Sequence, residues 1–257
     1  MMAKVLILSG FGINCEEESK YAFEIAGANQ VDIYHINDLI KDKSILNNYE
    51  ILCFPGGFSF GDDLGSGKAF ANIVRNNLLD EIEKFIEQKK LIIGICNGFQ
   101  VLTNLNLLPG ALAHNESGLY IDKWVKLKIN PENNSPWLSG ISDIELPIAH
   151  GEGNYQISEE ALNSLKTNHQ IAFEYKENPN GSLENIASVC SYEGRVIGMM
   201  PHPERAIFFN QDPLWTLKKD QLKRQSKDVP EYLPAINIFK NAVNYCKHKF
   251  ENIHIAP

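Results

Sequence analysis

The sequence predicts an α/β fold in which a mostly parallel sheet carries helices on both faces and has antiparallel strands appended to it. Two observations predict this fold. Apolar runs of strand length alternate with helical patterns up to residue 102, which indicates parallel βαβ crossovers. From about residue 119 the predicted strands follow one another across short turns, with one short helical piece between them, which indicates antiparallel pairing.

The first half supplies the parallel strands and their crossover helices. Apolar, β-branched runs predict strands at 5–8, 31–35, 51–54 and 91–95. Apolar residues at helical spacing predict helices at 16–26 and from about 69 to 88. Because the carboxyl ends of parallel strands meet at one edge of a sheet, we expect the glycine-bearing loops after these strands to lie together there.

The second half supplies the appended strands. Apolar runs separated by turn residues predict strands at 122–129, 144–149, 170–175, 186–192 and 195–200. A short helix is predicted at 159–165. We expect a single domain over residues 1–257, in which an extra segment at about 207–234 precedes a C-terminal helix.

Composition argues against several classes of protein. The 257 residues are 44% hydrophobic and 22% charged, as in soluble globular proteins. A net charge of −8 argues against nucleic acid as a partner. The five cysteines are scattered without a C-x-x-C pair, which argues against a disulfide framework and against a zinc site, so we expect no metal. No apolar run reaches membrane-spanning length and no signal peptide is evident, so we expect a cytoplasmic protein without a membrane partner.

The chain is organised around the stretch 91–102, LIIGICNGFQVL, in which a buried strand runs into a helix through a sharp corner at Cys96. The corner has the G-x-C-x-G pattern of a nucleophile elbow, where flanking glycines make room for a strained turn. Such a turn places the sulfur at a helix N-terminus, where N–H groups and the helix dipole favour a thiolate. The N–H of Asn97 then points where a developing oxyanion would sit. The alternative is an ordinary buried cysteine at a strand end.

A base for this nucleophile is predicted in the segment 199–205, MMPHPER. The two prolines force the residues before them out of the helical region, so the segment is expected to be extended. In extended chain, residues two apart project to the same side. Glu204 can therefore hold one ring nitrogen of His202 and leave the other for Cys96. Taken alone, the segment could equally be a surface turn with an incidental histidine and glutamate.

Two glycine-bearing loops are candidates for contact with a substrate. The loop 56–59, GGFS, lacks the pattern of a phosphate loop and is either a plain tight turn or the source of a second oxyanion N–H. The loop 150–154, HGEGN, carries a second H-x-E pattern. It has no P-C-x-x-C partner, as a zinc deaminase would require. We interpret it as a loop on the substrate side, with a plain β-turn as the alternative.

These motifs together resemble the class I, triad-type glutamine amidotransferases, and most closely the glutaminase subunits of phosphoribosylformylglycinamidine synthases of purine biosynthesis. The matching stretches are PGGFSFGDDL, GICNGFQVLTNLNLLPG, PIAHGEGN, NPNGS and GMMPHPERA, from about residue 55 to 206. The resemblance implies a flavodoxin-like sheet. It also implies that Cys96 is the nucleophile, His202 the base and Glu204 the residue that orients the base. The expected substrate-binding residues are Gly57 and Asn97, which supply oxyanion N–H groups, together with Gln100, His150, Gly151 and Glu152.

The reaction implied by the resemblance is the hydrolysis of L-glutamine to glutamate and ammonia through a thioester on Cys96. The family passes the ammonia to a large synthetase subunit, which uses ATP to convert formylglycinamide ribonucleotide to formylglycinamidine ribonucleotide. We therefore expect that synthetase as the partner, with ATP and Mg bound to it and no cofactor in this chain. A small third subunit is left open.

Two stretches depart from the pattern of the free glutaminase subunit. GDDLGSGKAFA is closer to the version that is fused to a large synthetase. The segment 207–234 lengthens the chain before its last helix, and it contains apolar residues that are unusual for a loop: Phe208, Phe209, Leu214 and Trp215. These residues either form part of a docking patch or pack against their own chain.

Three other functions stay open from the sequence. A glutaminase that serves another synthetase, such as the guanylate or anthranilate enzyme, would carry the same triad. A cysteine hydrolase or chaperone-like protein of the same fold would act on peptides or small electrophiles. A catalytically silent binding module is disfavoured by the intact triad.

Overall fold

One nine-stranded sheet organises the part of the chain that the structure describes. The structure is a computed structural model and describes residues 3–62 and 65–251, so the last two residues of the PGGFSFGDDL stretch lie outside it. The strands are, in chain order, β1 (Lys4–Ser9), β2 (Gln30–His35), β3 (Ile51–Phe54), β4 (Leu91–Ile95), β5 (Ala111–Ala113), β6 (Ile121–Ile129), β7 (Ile144–His150), β8 (Asn154–Gln156), β9 (Ile171–Tyr175), β10 (Ile186–Ser191) and β11 (Val196–Met199). The α-helices are α1 (Glu16–Ile25), α2 (Ile36–Lys41), α3 (Lys68–Glu87), α4 (Asn97–Asn104), α5 (Glu159–Thr167), α6 (Trp215–Arg224) and α7 (Ile236–Glu251).

The strand order in the large sheet is β2-β1-β3-β4-β11-β10-β9-β6-β7. The first five strands are parallel, since β1 pairs with β2 and β3 while β4 pairs with β3 and β11. The remaining strands continue the sheet through antiparallel pairs. The predicted fold, a parallel sheet with appended antiparallel strands, is confirmed, and the two kinds of pairing are equal in number.

Helices cover both faces of the parallel half. β2 lies on one side of β1, whereas β3 and β4 lie on the other, so right-handed crossovers place α1 and α3 on opposite faces. The helix contacts agree with this assignment. α1 packs against α7, where the rings of Phe23 and Phe239 meet edge to face at 4.9 Å, and α3 packs against α4. None of the helices within the described ranges is long and apolar enough to cross a membrane.

The predicted strands and α-helices begin and end within two residues of the observed ones, but two of the described strands and two of the described α-helices were not predicted. β5 and β8 form a separate two-stranded sheet, and each has only three residues, which is too few for a pattern of alternation. α6 has no buried residue, so it lacks the apolar face from which helical spacing is recognised. α2 has only six residues.

The carboxyl ends of β1, β3, β4 and β11 meet at one edge of the sheet, as predicted for parallel strands. The outermost strand, β7, also reaches this edge, because the hairpin of β6 and β7 curls back toward it. The N–H of His202, which follows β11, donates to the carbonyl of Pro147 in β7 at 2.8 Å. Strand β7, at the far end of the sheet, therefore lies against the edge at which the parallel strands end.

Helix α4 lies very close to the sheet because three glycines remove the side chains between them. A Cβ at Gly98 would collide with the carbonyl oxygen of Phe54 in β3, and a Cβ at Gly198 would collide with the ring of Phe99. Gly94 and Gly198 are opposite each other in β4 and β11, so together they leave a shallow groove under the helix. This packing places the first turn of α4 directly at the ends of β3 and β4.

We predict that Gly198→Ala destabilises the fold by roughly 1–3 kcal/mol, because the added methyl overpacks against Phe99 and Leu108. Gly198 does not have a positive φ, so backbone strain does not contribute. Denaturant unfolding followed by circular dichroism measures the change. Gly151→Ala is the matched control, since its methyl would find its nearest atom 3.9 Å away. An equal loss in both variants would contradict the packing argument.

Candidate active site

Cys96 stands at a strained corner between β4 and α4. Its φ of 50° and ψ of −105° lie in a region that side chains rarely adopt, as in a nucleophile elbow. Its N–H donates to the carbonyl of Met199 at 2.8 Å, which joins the corner to the end of β11. The sulfur lies 3.7 Å from the carbonyl oxygen of Ala149 in β7. The corner therefore holds the sulfur at the N-terminus of α4, at the edge of the sheet where the carboxyl ends of the parallel strands meet.

His202 and Glu204 form a buried pair beside this corner. Nδ1 of His202 lies 2.6 Å from Oε1 of Glu204, and the two side chains are 2% and 0% exposed. The sequence predicts this contact from a fully extended segment. In the structure the chain enters a 3₁₀ turn, Pro203–Arg205, directly after His202. The turn brings Glu204 back to the imidazole, so the predicted pair forms by a different backbone route.

The pairing of β4 with β11 brings the histidine to the cysteine. Ile95 and Met199 are opposite each other in parallel strands, so the chains leave the sheet at the same level. Burial alone would lower the pKa of His202, but the nearby charges of Glu204 and Cys96 raise that pKa well above its usual value. Nε2 of His202 is buried and has no hydrogen-bond partner among the described residues. A ring nitrogen without another partner is what the predicted role of His202 as the base for Cys96 requires.

The two predicted oxyanion donors follow β3 and β4, which are neighbours in the sheet. Asn97 is the first residue of α4, so its N–H has no carbonyl partner within the helix. Gly57 follows β3 and is paired with Ile13 across an isolated antiparallel bridge. A Cβ at Gly57 would lie 2.7 Å from the carbonyl oxygen of Gly12 and from Cα of Ile13, so a side chain does not fit there.

Gln100 and Glu152 join α4 to the loop after β7. Nε2 of Gln100 donates to the carbonyl of Glu152 at 2.6 Å, while its Oε1 accepts a hydrogen bond from Nδ2 of Asn97 at 2.9 Å. The carboxylate of Glu152 accepts a hydrogen bond from the N–H of Ser66 at 3.2 Å. Three of the predicted substrate-binding residues thus form one connected group, in which Gln100 holds the loop in place.

His150 and Gly151 lie in the same loop but make internal contacts. Nδ1 of His150 lies 3.0 Å from Oδ1 of Asn115, and this oxygen also accepts the N–H of Gly153. Burial, together with the charge of His202, lowers the pKa of His150 to about 4, so the ring is neutral near pH 7. The carbonyl of Gly151 accepts the N–H of Asn115 at 2.9 Å. A role of these two residues in binding substrate stays a prediction.

The sequence did not identify Cys15 as part of the site. Its sulfur accepts a hydrogen bond from Nη2 of Arg205 at 2.9 Å and donates to Oδ1 of Asn14 at 3.2 Å. No local motif marks this cysteine, which reaches the site because β1 and β3 are neighbours. His114, which belongs to none of the predicted motifs, lies 3.7 Å from the carboxylate of Glu152. The contact of Cys15 with Arg205 and that of His114 with Glu152 each join residues that are far apart in the chain.

One group of described side chains has the spacing of metal ligands. The ligand atoms of Cys15, His202 and Glu204 lie within 4.8 Å of one another. Two of the three groups already interact through Nδ1 of His202 and Oε1 of Glu204, and Arg205 donates to the sulfur of Cys15. The positive guanidinium at that position repels a cation. The group therefore does not fit a metal ion.

Comparison with known proteins agrees with the geometry. The family model of the CobB/CobQ-like glutamine amidotransferase domain matches residues 2–246. The chain is similar to a protein of Methanococcus maripaludis strain C7, described as phosphoribosylformylglycinamidine synthase subunit PurQ, with 47% identity over 95% of this chain and 98% of the relative. A protein of the same description from Dehalococcoides mccartyi is 38% identical over 95% of this chain and 98% of its own length.

Comparison with solved structures agrees with the sequence comparison. The chain resembles one chain of the structure of PurLQS from Thermotoga maritima, with a TM-score of 0.73 and 33% identity over 95% of this chain and 99% of that chain. Another glutamine amidotransferase from Thermotoga maritima has a TM-score of 0.57 at 14% identity, over 95% of this chain and 98% of that chain. The second likeness shows the fold alone.

We predict that a haloacetamide modifies Cys96 first among the five cysteines. Cys96 lies at a helix N-terminus, and His202 beside it can take its proton. Burial raises the pKa of the other four thiols, so they stay protonated and unreactive. Mass spectrometry of a digest after brief exposure identifies the labelled residue. Cys96→Ser should remove the label and Cys246→Ser should leave it, whereas earlier labelling of Cys15 would contradict the assignment.

Proposed function

Because this chain belongs to the CobB/CobQ-like glutamine amidotransferase family, we propose that it is the glutaminase subunit of a phosphoribosylformylglycinamidine synthase. It hydrolyses L-glutamine to glutamate and ammonia and delivers the ammonia to a synthetase subunit. That subunit converts formylglycinamide ribonucleotide to formylglycinamidine ribonucleotide in purine biosynthesis. The observation that carries the proposal is the buried His202–Glu204 pair, 2.6 Å apart, beside a cysteine at a strained strand-to-helix corner.

The proposed reaction is acyl transfer through the cysteine. Cys96 attacks the side-chain amide carbon of glutamine, and a proton from His202 goes to the nitrogen as the carbon–nitrogen bond breaks. Ammonia leaves and a thioester remains on the sulfur. Water, deprotonated by His202, then attacks the thioester carbonyl. The carbon–sulfur bond breaks, glutamate is released, and the proton on His202 returns to the sulfur of Cys96. Glu204 holds the imidazole in orientation and stabilises its positive charge throughout.

The oxyanion formed in each step needs hydrogen-bond donors at fixed positions. The N–H groups of Asn97 and Gly57 fill this role in the proposal, since they follow the neighbouring strands β4 and β3 at one edge of the sheet. Gln100 and Glu152 shape the adjoining loop, and their connection to Asn97 links substrate binding to the start of α4. His150 and Gly151 complete the proposed binding loop.

The proposed partner is a large synthetase that carries ATP and Mg, with no cofactor in this chain. Exposed aromatic residues at the mouth of the site support docking there. Phe11 and Phe58 follow β1 and β3, and each is 43% exposed. The ring of Phe58 faces that of Tyr120 at 6.1 Å, and Tyr120 is 52% exposed. A partner that covers these rings would also cover the edge of the sheet at which Cys96 lies.

The segment 207–234 is less suited to that docking role. Phe209 is buried, and the ring of Phe208 packs 5.5 Å from that of Tyr232. Lys218 of α6 pairs with Glu145 at 3.4 Å, at the start of β7 and thus away from the end of that strand near Cys96. Much of the segment therefore packs on its own chain. Its residues Leu214 and Leu217 are exposed.

We predict that the chain hydrolyses glutamine faster when the synthetase and its nucleotide substrates are bound than when it is alone. Ammonia released without an acceptor is lost, so docking should favour the productive arrangement of the site. Steady-state glutamate release by the isolated chain and by the complex measures the effect. Cys96→Ala should abolish release in both while leaving the circular dichroism spectrum unchanged. Glutamate release by Cys96→Ala at the native rate would refute the proposed function.

We predict that Glu204→Gln lowers kcat on the order of 10²- to 10⁴-fold without abolishing it, as in other triads. The carboxylate helps to raise the pKa of His202, so its removal lowers that pKa. If the protonated imidazole is needed, the alkaline limb of the rate profile should move to lower pH. An unshifted limb and an unchanged kcat would mean that another carboxylate orients the base. The conservative change Glu204→Asp should retain the charge and part of the rate.

A further inference from the structure

The loop after β1 (residues 10–15) is bonded to the loop after β3 (residues 56–60) by four backbone hydrogen bonds. The N–H groups of Asn14 and Cys15 both donate to the carbonyl of Gly56, at 3.2 and 3.1 Å. The other two bonds run in the opposite direction, from Phe58 to the carbonyl of Gly12 at 2.8 Å and from Phe60 to that of Phe11 at 2.7 Å. The first loop thus borders the second along its whole length.

These bonds fix the orientation of one peptide unit, that between Gly56 and Gly57. In a trans peptide the carbonyl and the following N–H point in opposite directions, and none of the described peptides is cis. Because the carbonyl of Gly56 points toward Asn14 and Cys15, the N–H of Gly57 points away from that loop. The N–H of Gly57 also takes no part in the four bonds. It is therefore free to donate to a ligand.

We propose that Asn14 and Cys15 are positioning residues that hold the Gly57 N–H in the orientation needed by the oxyanion. This inference rests on the proposed glutaminase reaction. A pair of glycines can flip its peptide at little steric cost. Here a flip would break both hydrogen bonds to Gly56 and would aim a carbonyl oxygen, instead of an N–H, at the developing negative charge.

The side chain of Cys15 extends this support to the base. Gly56 lies between the two groups, since a Cβ there would be 3.0 Å from Sγ of Cys15 and 2.8 Å from Cε1 of His202. Arg205, in the turn that follows His202, donates to the same sulfur at 2.9 Å. One buried thiol therefore contacts both the oxyanion peptide and the segment that carries the base. The position of this thiol therefore sets the distance between the Gly56–Gly57 peptide and the segment that carries His202.

The test compares two substitutions at one position in the complex of the full chain with its synthetase. Cys15→Ala removes the thiol and keeps the N–H, whereas Cys15→Pro removes both. Cys15 is the N-cap of α1, so its N–H makes no hydrogen bond within the helix, and proline there moves φ from −110° toward about −65°. We expect kcat for glutamine hydrolysis to fall about 3- to 10-fold in Cys15→Ala and about 10²-fold in Cys15→Pro, the loss that accompanies one missing oxyanion donor. KM should stay unchanged.

Cys246→Ala is the matched control, because it removes an equally buried thiol from α7. It should lower the unfolding midpoint and leave kcat as it is. Circular dichroism and thermal unfolding show whether each variant is folded. If Cys15→Pro does not fold, the test rests on Cys15→Ala, whose kcat must still fall at least 3-fold.

A second readout separates positioning from general damage. The sulfur of Cys96 adds to the aldehyde carbon of glutamate γ-semialdehyde, and the thiol proton goes either to the aldehyde oxygen or to His202, which leaves that oxygen as an oxyanion. Its affinity should fall by the same factor as kcat in each Cys15 variant, while the affinity for L-glutamate, which forms no such adduct, stays constant. A folded Cys15→Pro variant with kcat within twofold of wild type would overturn the inference. Equal losses for the aldehyde and for glutamate would also overturn it, whereas an inactive wild-type complex would refute the proposed function instead.

Discussion

The close approach of α4 to the sheet is the constraint on which the site depends. With no side chain at Gly94, Gly98 or Gly198, the helix begins against the backbone of β3 and β4. Cys96 must then reverse the chain direction within one residue, which is why it has a positive φ. The packing of α4 against the sheet thus stabilises the strained backbone conformation of Cys96. The sulfur is presented at the sheet edge as a consequence of how the helix packs.

The rest of the site is assembled from both halves of the sheet. β11 belongs to the parallel half through its pairing with β4 and to the antiparallel half through its pairing with β10. It therefore carries His202 to the edge that the parallel strands define. The buried histidine and carboxylate would each be costly to bury alone, and their mutual hydrogen bond offsets that cost. β7 then covers the pair from the other side through its contact with the N–H of His202.

Local sequence patterns predicted most of the fold and the central pair of the site. The elbow was predictable because a strained turn requires small residues at fixed spacing around Cys96. The contact of His202 with Glu204 was predictable because the two residues are nearly adjacent, although the turn that forms it was not. Cys15 and Arg205 are separated by 190 positions, and neither belongs to a motif that indicates their contact. Cys15 follows β1 whereas Arg205 follows β11, so only the strand order of the folded sheet brings them together, and strand order cannot be derived from the periodicity of single elements.

The position of β11 has a consequence for the order in which the chain is made. During synthesis the elbow strand β4 emerges long before β11, and until β11 pairs with it β4 is an edge of a purely parallel sheet. A nascent chain at that stage has its proposed nucleophile but neither the base nor the strand that covers it. It cannot turn over an amide, and its cysteine is open to oxidants in the surrounding medium. Folding of the antiparallel half therefore covers the cysteine against oxidants and supplies the base for activity in one step.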